Sequence, residues 1–400
     1  MPYVRSVSMG VWVNVGARDE SDAQSGLSHF IEHMIFKGTA RRTAFQIAKE
    51  FDAVGGHTNA FTSMEHTCYH AKVMDTHLET MVSILSDIFL NSIFSPEEIE
   101  RERPVIFQEI GMVEDTPEEY VHQLSGSNFW GEHPLGRSIL GTRENILTFD
   151  SPTIKNYFRK FYNPERIVIA VAGNVEHSHI VDLVGPYFGS ISGQSELPER
   201  TTPSLHAGVC THTRSLEQVH ICLATIGLPV TDPRRYAASL LNTILGGNMS
   251  SRLFQEIREQ RGLAYSVYSF MSSHADTGMF GVYTGVNPDS VEETIALVLK
   301  ALQRLRHESV DADELQDAKE YTKGNLLLAG ESVDNMMVRL AQNEIHFGRY
   351  FGLKEILEQI EAVTVEELQA LARDLFLPDL ISLTLLGAMP ADRTYDHLIQ

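Results

Sequence analysis

The chain has 400 residues, of which 43% are hydrophobic and 21% charged, a composition typical of a globular protein long enough for more than one core. Its formal net charge of −21 argues against nucleic acid as a partner, because nucleic-acid binding requires a basic face. No apolar run reaches the roughly 18 residues of a membrane-spanning helix, so we predict no membrane span.

The first half of the chain combines strand and helix patterns. Apolar residues at every second position predict a strand at residues 7–15, and an apolar helix follows at residues 25–37. Two strand-like segments, a long helix and a buried strand come next, at residues 57–63, 67–73, 95–114 and 166–172.

The second half repeats this order of elements, at residues 219–226, 236–245, 266–270, 279–286, 311–328 and 380–386. Equivalent positions lie a nearly constant distance apart: 212 residues from Thr67 to Met279 (279 − 67), 216 from Ser95 to Asp311 (311 − 95) and 215 from Arg166 to Ile381 (381 − 166). Such constant spacing indicates an internal duplication.

These patterns predict an α+β fold of two tandem homologous domains, each a mainly antiparallel β-sheet with packed helices. Residues 193–205 are rich in Gly, Ser, Pro and charge, as linkers are. We therefore expect an N-terminal domain at residues 1–192, a linker at 193–205 and a C-terminal domain at 206–400. Capping boxes mark four helix starts: Ser95 with Glu98, Thr116 with Glu119, Asp311 with Glu314, and Thr364 with Glu367.

The segment from His29 to His33 has the pattern H-x-x-E-H within a predicted helix. Residues four apart share a helix face, so the two imidazoles can bind one Zn²⁺ from the same side. A catalytic zinc needs three protein ligands and one open position for water, whose pKa it lowers towards about 7. Glu32 can lie beside the metal without binding it, and is the candidate general base.

The third ligand must come from another element. The long helix that begins at Ser95 carries Glu102 and Glu109, seven residues apart on nearly the same face. Two helical turns separate them by about 10 Å along the axis, so both cannot easily bind one zinc directly. Glu109 is the better candidate for the ligand, and Glu102 is then at most a partner that steadies a histidine or the bound water.

Two alternatives compete with this metal site. A bare five-residue motif is only a moderate signal, and His29 and His33 could simply be interior residues of the helix. His66 and His70 form a second pair on one face of a strand, although Glu65 would point away from them. The helical position of the motif and the acidic helix downstream favour the first site.

At these residues the chain resembles the pitrilysin/insulinase family of inverted-motif zinc peptidases, and within it the bacterial, mitochondrial-processing-peptidase-like branch. The similar segments span nearly the whole chain: residues 26–38 (GLSHFIEHMIFKG), 55–62, 100–103, 133–137, 141–146, 251–258 and 261–266. Together these segments are far more specific than the five-residue motif alone.

The resemblance implies roles for individual residues. One zinc ion per chain would be bound by His29, His33 and Glu109. Glu32 would be the base, and Glu102 a supporting acid. Two residues of the second domain, Arg258 and Tyr265, would contact the substrate and steady the oxyanion that forms. Residues Asn59, Ala60 and Phe61 would lie on an edge strand to which the substrate adds as a further β-strand.

The function that the resemblance implies is zinc-dependent endopeptidase activity on extended or unfolded peptides inside a chamber. The acidic charge suggests basic peptides, although acidity that only keeps the protein dispersed is the simpler explanation. The metal motif and the Arg/Tyr pair occur on one chain, so we expect a homodimer, with a heterodimer as the alternative. The rival functions are a family subunit without catalysis and a peptide-binding module with poor turnover.

Two further expectations concern the start of the chain and its compartment. Family members usually begin with another strand before the equivalent of Met1, and we expect this sequence to lack that strand. The start shows no pattern of a secretory signal, and the three cysteines have no metal-type spacing. We therefore expect reduced thiols and a bacterial cytoplasmic location.

Overall fold

The computed structural model of the chain describes residues 1–193, 199–389 and 394–399. Its strands are β1 (Ser6–Val13), β2 (His57–Thr62), β3 (Thr67–Met74), β4 (Ile167–Gly173), β5 (Gly208–Thr213), β6 (Val219–Gly227), β7 (Ala264–Ser273), β8 (Gly278–Val286) and β9 (Ser382–Gly387). Its α-helices are α1 (Leu27–Met34), α2 (Ala44–Ala53), α3 (Leu78–Asn91), α4 (Pro96–Asp115), α5 (Pro117–Trp130), α6 (Arg143–Thr148), α7 (Ser151–Phe161), α8 (His177–Phe188), α9 (Arg235–Asn242), α10 (Val291–His307), α11 (Ala312–Ala329), α12 (Val333–Phe347), α13 (Leu353–Ala362) and α14 (Val365–Leu375). Two π-helical segments are Thr243–Gly247 and Phe254–Gln260. Among the described helices, none combines the length and apolar character that crossing a membrane requires.

The described chain forms two compact units. Unit 1 comprises Met1–Gly111, Arg137–Thr201 and Leu328–Tyr350, and unit 2 comprises Met112–Gly136, Thr202–Leu327 and Phe351–Gln400. Each unit therefore contains one helix from the opposite half of the sequence, α12 in unit 1 and α5 in unit 2. Within the expected linker, residues 194–198 lie outside the described residues, and the division at 1–192 and 206–400 stays a prediction.

Both units are built on a mainly antiparallel sheet. Unit 1 has four strands in the order β2-β3-β1-β4, all antiparallel. Unit 2 has five strands in the order β5-β9-β6-β8-β7, where β5 runs parallel to β9 and the other described pairs are antiparallel. If β5 is left out and the strands of each unit are numbered in chain order, both sheets have the order 2-3-1-4. The predicted α+β fold of two duplicated domains is confirmed.

Strand β1 lies inside the unit 1 sheet and is buried on both faces. Its odd-numbered side chains, Val7 to Val13, pack into the main core together with the apolar face of α1. Trp12 points to the other face and its Nε1 donates to Met337 Sδ of α12 at 3.3 Å. A Cβ at Gly10 would come 2.5 Å from the same sulfur and 2.7 Å from Trp12 Nε1, so a larger residue there would force these side chains to shift.

The predicted helix starts hold in part. Thr364 and Glu367 form the reciprocal capping box, and Ser95 Oγ accepts the backbone N–H of Glu98 at 3.3 Å. The predicted box at Thr116 is wrong, because its hydroxyl instead donates to the Met112 carbonyl oxygen at 2.8 Å. Helix α4 continues to Asp115, which brings this carbonyl of the preceding turn within reach. The cap at Ser95 is the one that matters for the site, since it starts the helix carrying both candidate glutamates.

Candidate metal centre

The H-x-x-E-H segment lies on α1, whose start is held from outside the helix. Gly26 precedes the helix with φ 96°, and a Cβ there would come 2.7 Å from the Leu140 carbonyl oxygen. The two carboxylate oxygens of Glu20 accept the backbone N–H groups of Gly26 at 2.8 Å and Ser28 at 2.6 Å. These N–H groups have no partner within the helix, so Glu20 both caps and positions α1.

The apolar face of α1 is fully buried in the unit 1 core and leaves the two histidines on a neighbouring face. Leu27, Phe30 and Ile31 are completely covered. The rings of His29 and His33 lie edge to face with their centroids 4.6 Å apart. Burial of three large apolar side chains thus fixes the rotation of the helix and the direction of both imidazoles.

Glu109 of α4 completes a three-residue cluster. Its Oε2 lies 3.5 Å from His29 Nε2 and 3.3 Å from His33 Nε2. The ligand atoms of the three residues all lie within 4.8 Å of one another, and no second group of three metal-binding side chains occurs in residues 1–193, 199–389 and 394–399. Two imidazole nitrogens and one carboxylate oxygen are the donors of a known type of catalytic zinc site, so these residues fit that ion.

Glu102 lies behind His33 rather than among the three. Its Oε1 is 2.8 Å from His33 Nδ1, and its Oε2 is 2.5 Å from Lys37 Nζ. If a bound cation displaces the proton from Nε2, a carboxylate at Nδ1 keeps the remaining proton on that atom and leaves the Nε2 lone pair directed at the cluster. Glu109 of α4 therefore faces the cluster, whereas Glu102 of the same helix supports it from behind His33.

The charges of the cluster favour a cation at its centre. Burial opposes protonation of His33, but hydrogen bonds to Glu102 and Glu109 outweigh burial and raise its pKa to about 9. Hydrogen bonds from His29 and His33 hold the pKa of Glu109 well below its usual range. Burial alone would raise the pKa of Glu102, yet His33 and Lys37 lower it. Both carboxylates are thus ionised, and a positive charge beside them is stabilised.

The carboxylate of Glu32 has a partner that the sequence did not point to. The Thr62 hydroxyl, at the last residue of β2, donates to Glu32 Oε2 at 2.6 Å. Thr62 directly follows the three predicted substrate-binding residues, but a threonine in a strand carries no signal of what its side chain contacts. The site therefore joins α1 to the end of β2 as well as to α4.

The predicted substrate-binding residues lie on β2, the outermost strand of the unit 1 sheet. Asn59 is exposed, and its Oδ1 accepts the Ala60 backbone N–H at 2.9 Å. This N–H is not used in the ladder with β3 and faces the free edge of the strand. Phe61 is 36% exposed and packs edge-on against Trp12.

In unit 2, the structure brings the predicted Arg258 and Tyr265 together. The Arg258 guanidinium carbon lies 4.7 Å from the centroid of the Tyr265 ring, a cation–π contact. Tyr265 is 79% exposed, so its hydroxyl is accessible.

The competing histidine pair is not assembled as a pair. His66 Nε2 lies 3.2 Å from His346 Nε2 of α12, whereas the His70 ring contacts Phe61. Among the described residues of unit 1, the metal-type cluster is the one on α1 and α4.

Comparisons with known proteins cover most of the chain. The family described as "Insulinase (Peptidase family M16)" matches residues 1–143, and the one described as "Peptidase M16 inactive domain" matches residues 148–321. An uncharacterized zinc protease of Bacillus subtilis is 42% identical over 378 residues, which cover 94% of this chain and 92% of that protein.

Two solved structures share the fold. A peptidase M16 inactive domain from Pseudomonas fluorescens superimposes with a TM-score of 0.91 at 20% identity, covering 98% of this chain and 95% of that one. A protease from Helicobacter pylori gives a TM-score of 0.89 at 21% identity, covering 96% and 94%. The similarity of fold thus extends along nearly the full length of the chain.

Proposed function

The chain belongs to the insulinase family, peptidase family M16, and from this premise we propose that it is a zinc-dependent endopeptidase acting on extended peptides. The observation that carries the proposal is the cluster of His29, His33 and Glu109, with Glu102 behind it. Glu32 directly precedes His33 in the sequence. The name of the Bacillus subtilis relative supports zinc and proteolysis as the general chemistry.

We assign one zinc ion per chain to His29 Nε2, His33 Nε2 and the Glu109 carboxylate. When bound, zinc at this place lowers the pKa of water and polarises a peptide carbonyl group. Glu32 accepts the proton of the attacking water and delivers it to the leaving amine. Glu102 holds the His33 ring in one orientation and keeps its Nε2 lone pair available.

The substrate is proposed to bind as an extended strand along Asn59, Ala60 and Phe61. Main-chain hydrogen bonds of this kind read little sequence and require an unfolded segment. The Ala60 N–H becomes available when the Asn59 side chain turns away from it. Arg258 and Tyr265 are proposed to hydrogen-bond the peptide and the developing oxyanion.

The remaining proposals concern assembly, compartment and substrate charge. We propose a homodimer that encloses a chamber, with a heterodimer as the alternative, on the basis of the family resemblance. The three cysteines are free thiols, which supports a cytoplasmic location. The net charge of −21 supports a preference for basic peptides, and equal cleavage of acidic and basic peptides at low salt would contradict it.

The test is cleavage of an unstructured quenched peptide by the zinc-loaded protein, beside Glu32→Gln loaded in the same way. We expect the variant to keep its zinc and to lose about 10²–10⁴-fold in kcat, the usual contribution of a general base. Equal turnover by both proteins would mean a contaminating peptidase or a wrong base.

The second candidate function is a family subunit that binds peptides without cleaving them. The match of residues 148–321 to a domain described as inactive is the observation that favours it. Peptide binding by zinc-loaded wild type, with no turnover, would support this candidate over the endopeptidase.

A further inference from the structure

Thr62 connects the candidate base to the strand that is proposed to receive the substrate. Its Oγ1 donates to Glu32 Oε2 at 2.6 Å. The short distance between the two oxygens marks a well-formed hydrogen bond. One carboxylate oxygen of Glu32 is thereby engaged, and the other is left for a proton from water.

The hydroxyl itself is held in place by the turn that follows it. Thr62 pairs with Thr67 at the end of the β2–β3 ladder, and the Ser63 N–H donates to the His66 carbonyl oxygen at 2.7 Å. The Ala17 N–H donates to the Ser63 carbonyl oxygen at 3.1 Å, which ties the turn to the loop after β1. The donor therefore sits on rigid backbone, which is what accurate positioning of a reacting group requires.

We propose that Thr62 is a positioning residue that holds the Glu32 carboxylate in the orientation needed to accept a proton. The proposal rests on the endopeptidase function proposed above, because it assigns Glu32 the role of base. Thr62 acts through Glu32 and contacts no reacting atom. Its neighbour Phe61 belongs to the predicted substrate strand, so the strand that binds the peptide also orients the base.

Three variants separate this role from a structural one. Thr62→Val removes the hydroxyl at nearly constant volume, and Thr62→Ser keeps it. Thr58→Val is the matched control, since Thr58 lies on the same strand and donates from Oγ1 to the His70 carbonyl oxygen at 3.2 Å. All three are compared with wild type for zinc content, kcat and KM on an unstructured quenched peptide.

The expected pattern is a selective loss in kcat. Thr62→Val should lose about 10–100-fold in kcat, as variants lacking a supporting hydrogen bond at a metal site do, with zinc content and KM nearly unchanged. Thr62→Ser should restore most of this loss, and Thr58→Val should resemble wild type. Equal losses in Thr62→Val and Thr58→Val would overturn the proposal, because they would show a general effect on the strand.

Crystal structures of metal-free wild type, Thr62→Val and Thr62→Ser give a second readout that needs no activity. Glu32 should occupy one rotamer in wild type and Thr62→Ser, and lose it in Thr62→Val. An unchanged Glu32 rotamer in Thr62→Val would refute the positioning role. If wild type cleaves no peptide, the endopeptidase proposal fails, while the Glu32 rotamers still decide the role of Thr62.

Discussion

Helices α1 and α9 occupy the same place in the order of elements of the two units, after β1 and after β6, yet only α1 carries metal-type ligands. Residues 235–247, which form α9 and the π-helical turn after it, contain no His, Cys, Asp or Glu. The long helices differ in the same way. Glu102 and Glu109 lie seven and fourteen residues after the capping Ser95, and the same counts from Asp311 lead to Ala318 and Asn325.

The difference shows that the duplicated sheet and helices form a scaffold, and that the chemistry depends on a few side chains. Both units bury a central strand and, apart from β5, share one strand order. Unit 1 adds two imidazoles, two carboxylates and a candidate base to that scaffold. Unit 2 presents the Arg258–Tyr265 pair, which is proposed to contact the peptide. Four substitutions test this contrast between the two units.

The largest effect should follow Glu109→Gln in α4, because it removes a carboxylate facing both histidines. Loss of a residue that only hydrogen-bonds a metal ligand lowers metal affinity or activity by up to roughly 100-fold. Loss of Glu109, which is itself a proposed ligand, should lower zinc affinity and peptide turnover by more than that. Zinc titration and the peptide assay measure both. Asn325→Ala on α11 is the control in unit 2 and should change neither; a comparable loss there would contradict the account.

Glu102→Gln should have the next largest effect, because an amide holds His33 Nδ1 less firmly than a carboxylate and leaves Lys37 without its ion pair. Zinc affinity should fall about 10–100-fold while the fold is kept. Competition with a chelator measures the affinity. An affinity like that of wild type would show that Glu102 does not support the site.

Glu20→Ala should destabilise unit 1 without touching a ligand directly. It leaves the buried N–H groups of Gly26 and Ser28 without an acceptor, at a cost of about 2 kcal/mol or more. Chemical denaturation followed at Trp12 of unit 1 and Trp130 of unit 2, each in a background lacking the other tryptophan, measures the loss. Glu20→Gln, which keeps one oxygen acceptor, should lie between alanine and wild type; a neutral Glu20→Ala would contradict the capping role.

The smallest effect should be a pH dependence in unit 2, where α5 packs on the sheet. Burial lowers the pKa of His122, against the opposing charge of Glu118, while its Nε2 lies 2.9 Å from the Tyr268 hydroxyl. The unfolded chain therefore binds a proton at His122 before the folded chain does, so stability is lost as pH falls below about 6.5.

The variant His122→Gln tests this titration. Its thermal unfolding midpoint should decline less between pH 7.5 and pH 5.5 than that of wild type. The difference in stability between the two proteins should be smaller than the stability lost in Glu20→Ala. An equal decline in both proteins would assign the acid sensitivity to other groups.

Sequence patterns predict the local features of the fold well. Alternating apolar residues locate β1 within two residues at either end, and the four-residue spacing of His29 and His33 places their rings on one helix face. The seven-residue spacing of Glu102 and Glu109 separates a facing residue from a supporting one. Each of these inferences depends on the geometry of one helix or strand, which the local sequence determines.

Contacts between distant segments are what the patterns leave open. The periodicity of a helix predicts which of its faces is apolar, but not the surface against which that face packs. The inclusion of α5 in unit 2 and of α12 in unit 1 therefore does not follow from the sequence pattern. The hydrogen bond from Thr62 to Glu32 and the capping of α1 by Glu20 are likewise contacts between distant segments. A strand threonine and a loop glutamate look alike in sequence whether they reach solvent or a helix of the candidate site.

The most direct test of the central claim is a crystal structure of the zinc-loaded protein with anomalous scattering measured on both sides of the zinc absorption edge. The account predicts one zinc peak per chain, bonded to His29 Nε2, His33 Nε2 and the Glu109 carboxylate, and no peak in unit 2. A zinc peak at His66 and His346, or in unit 2, or no peak at saturating zinc, would contradict it.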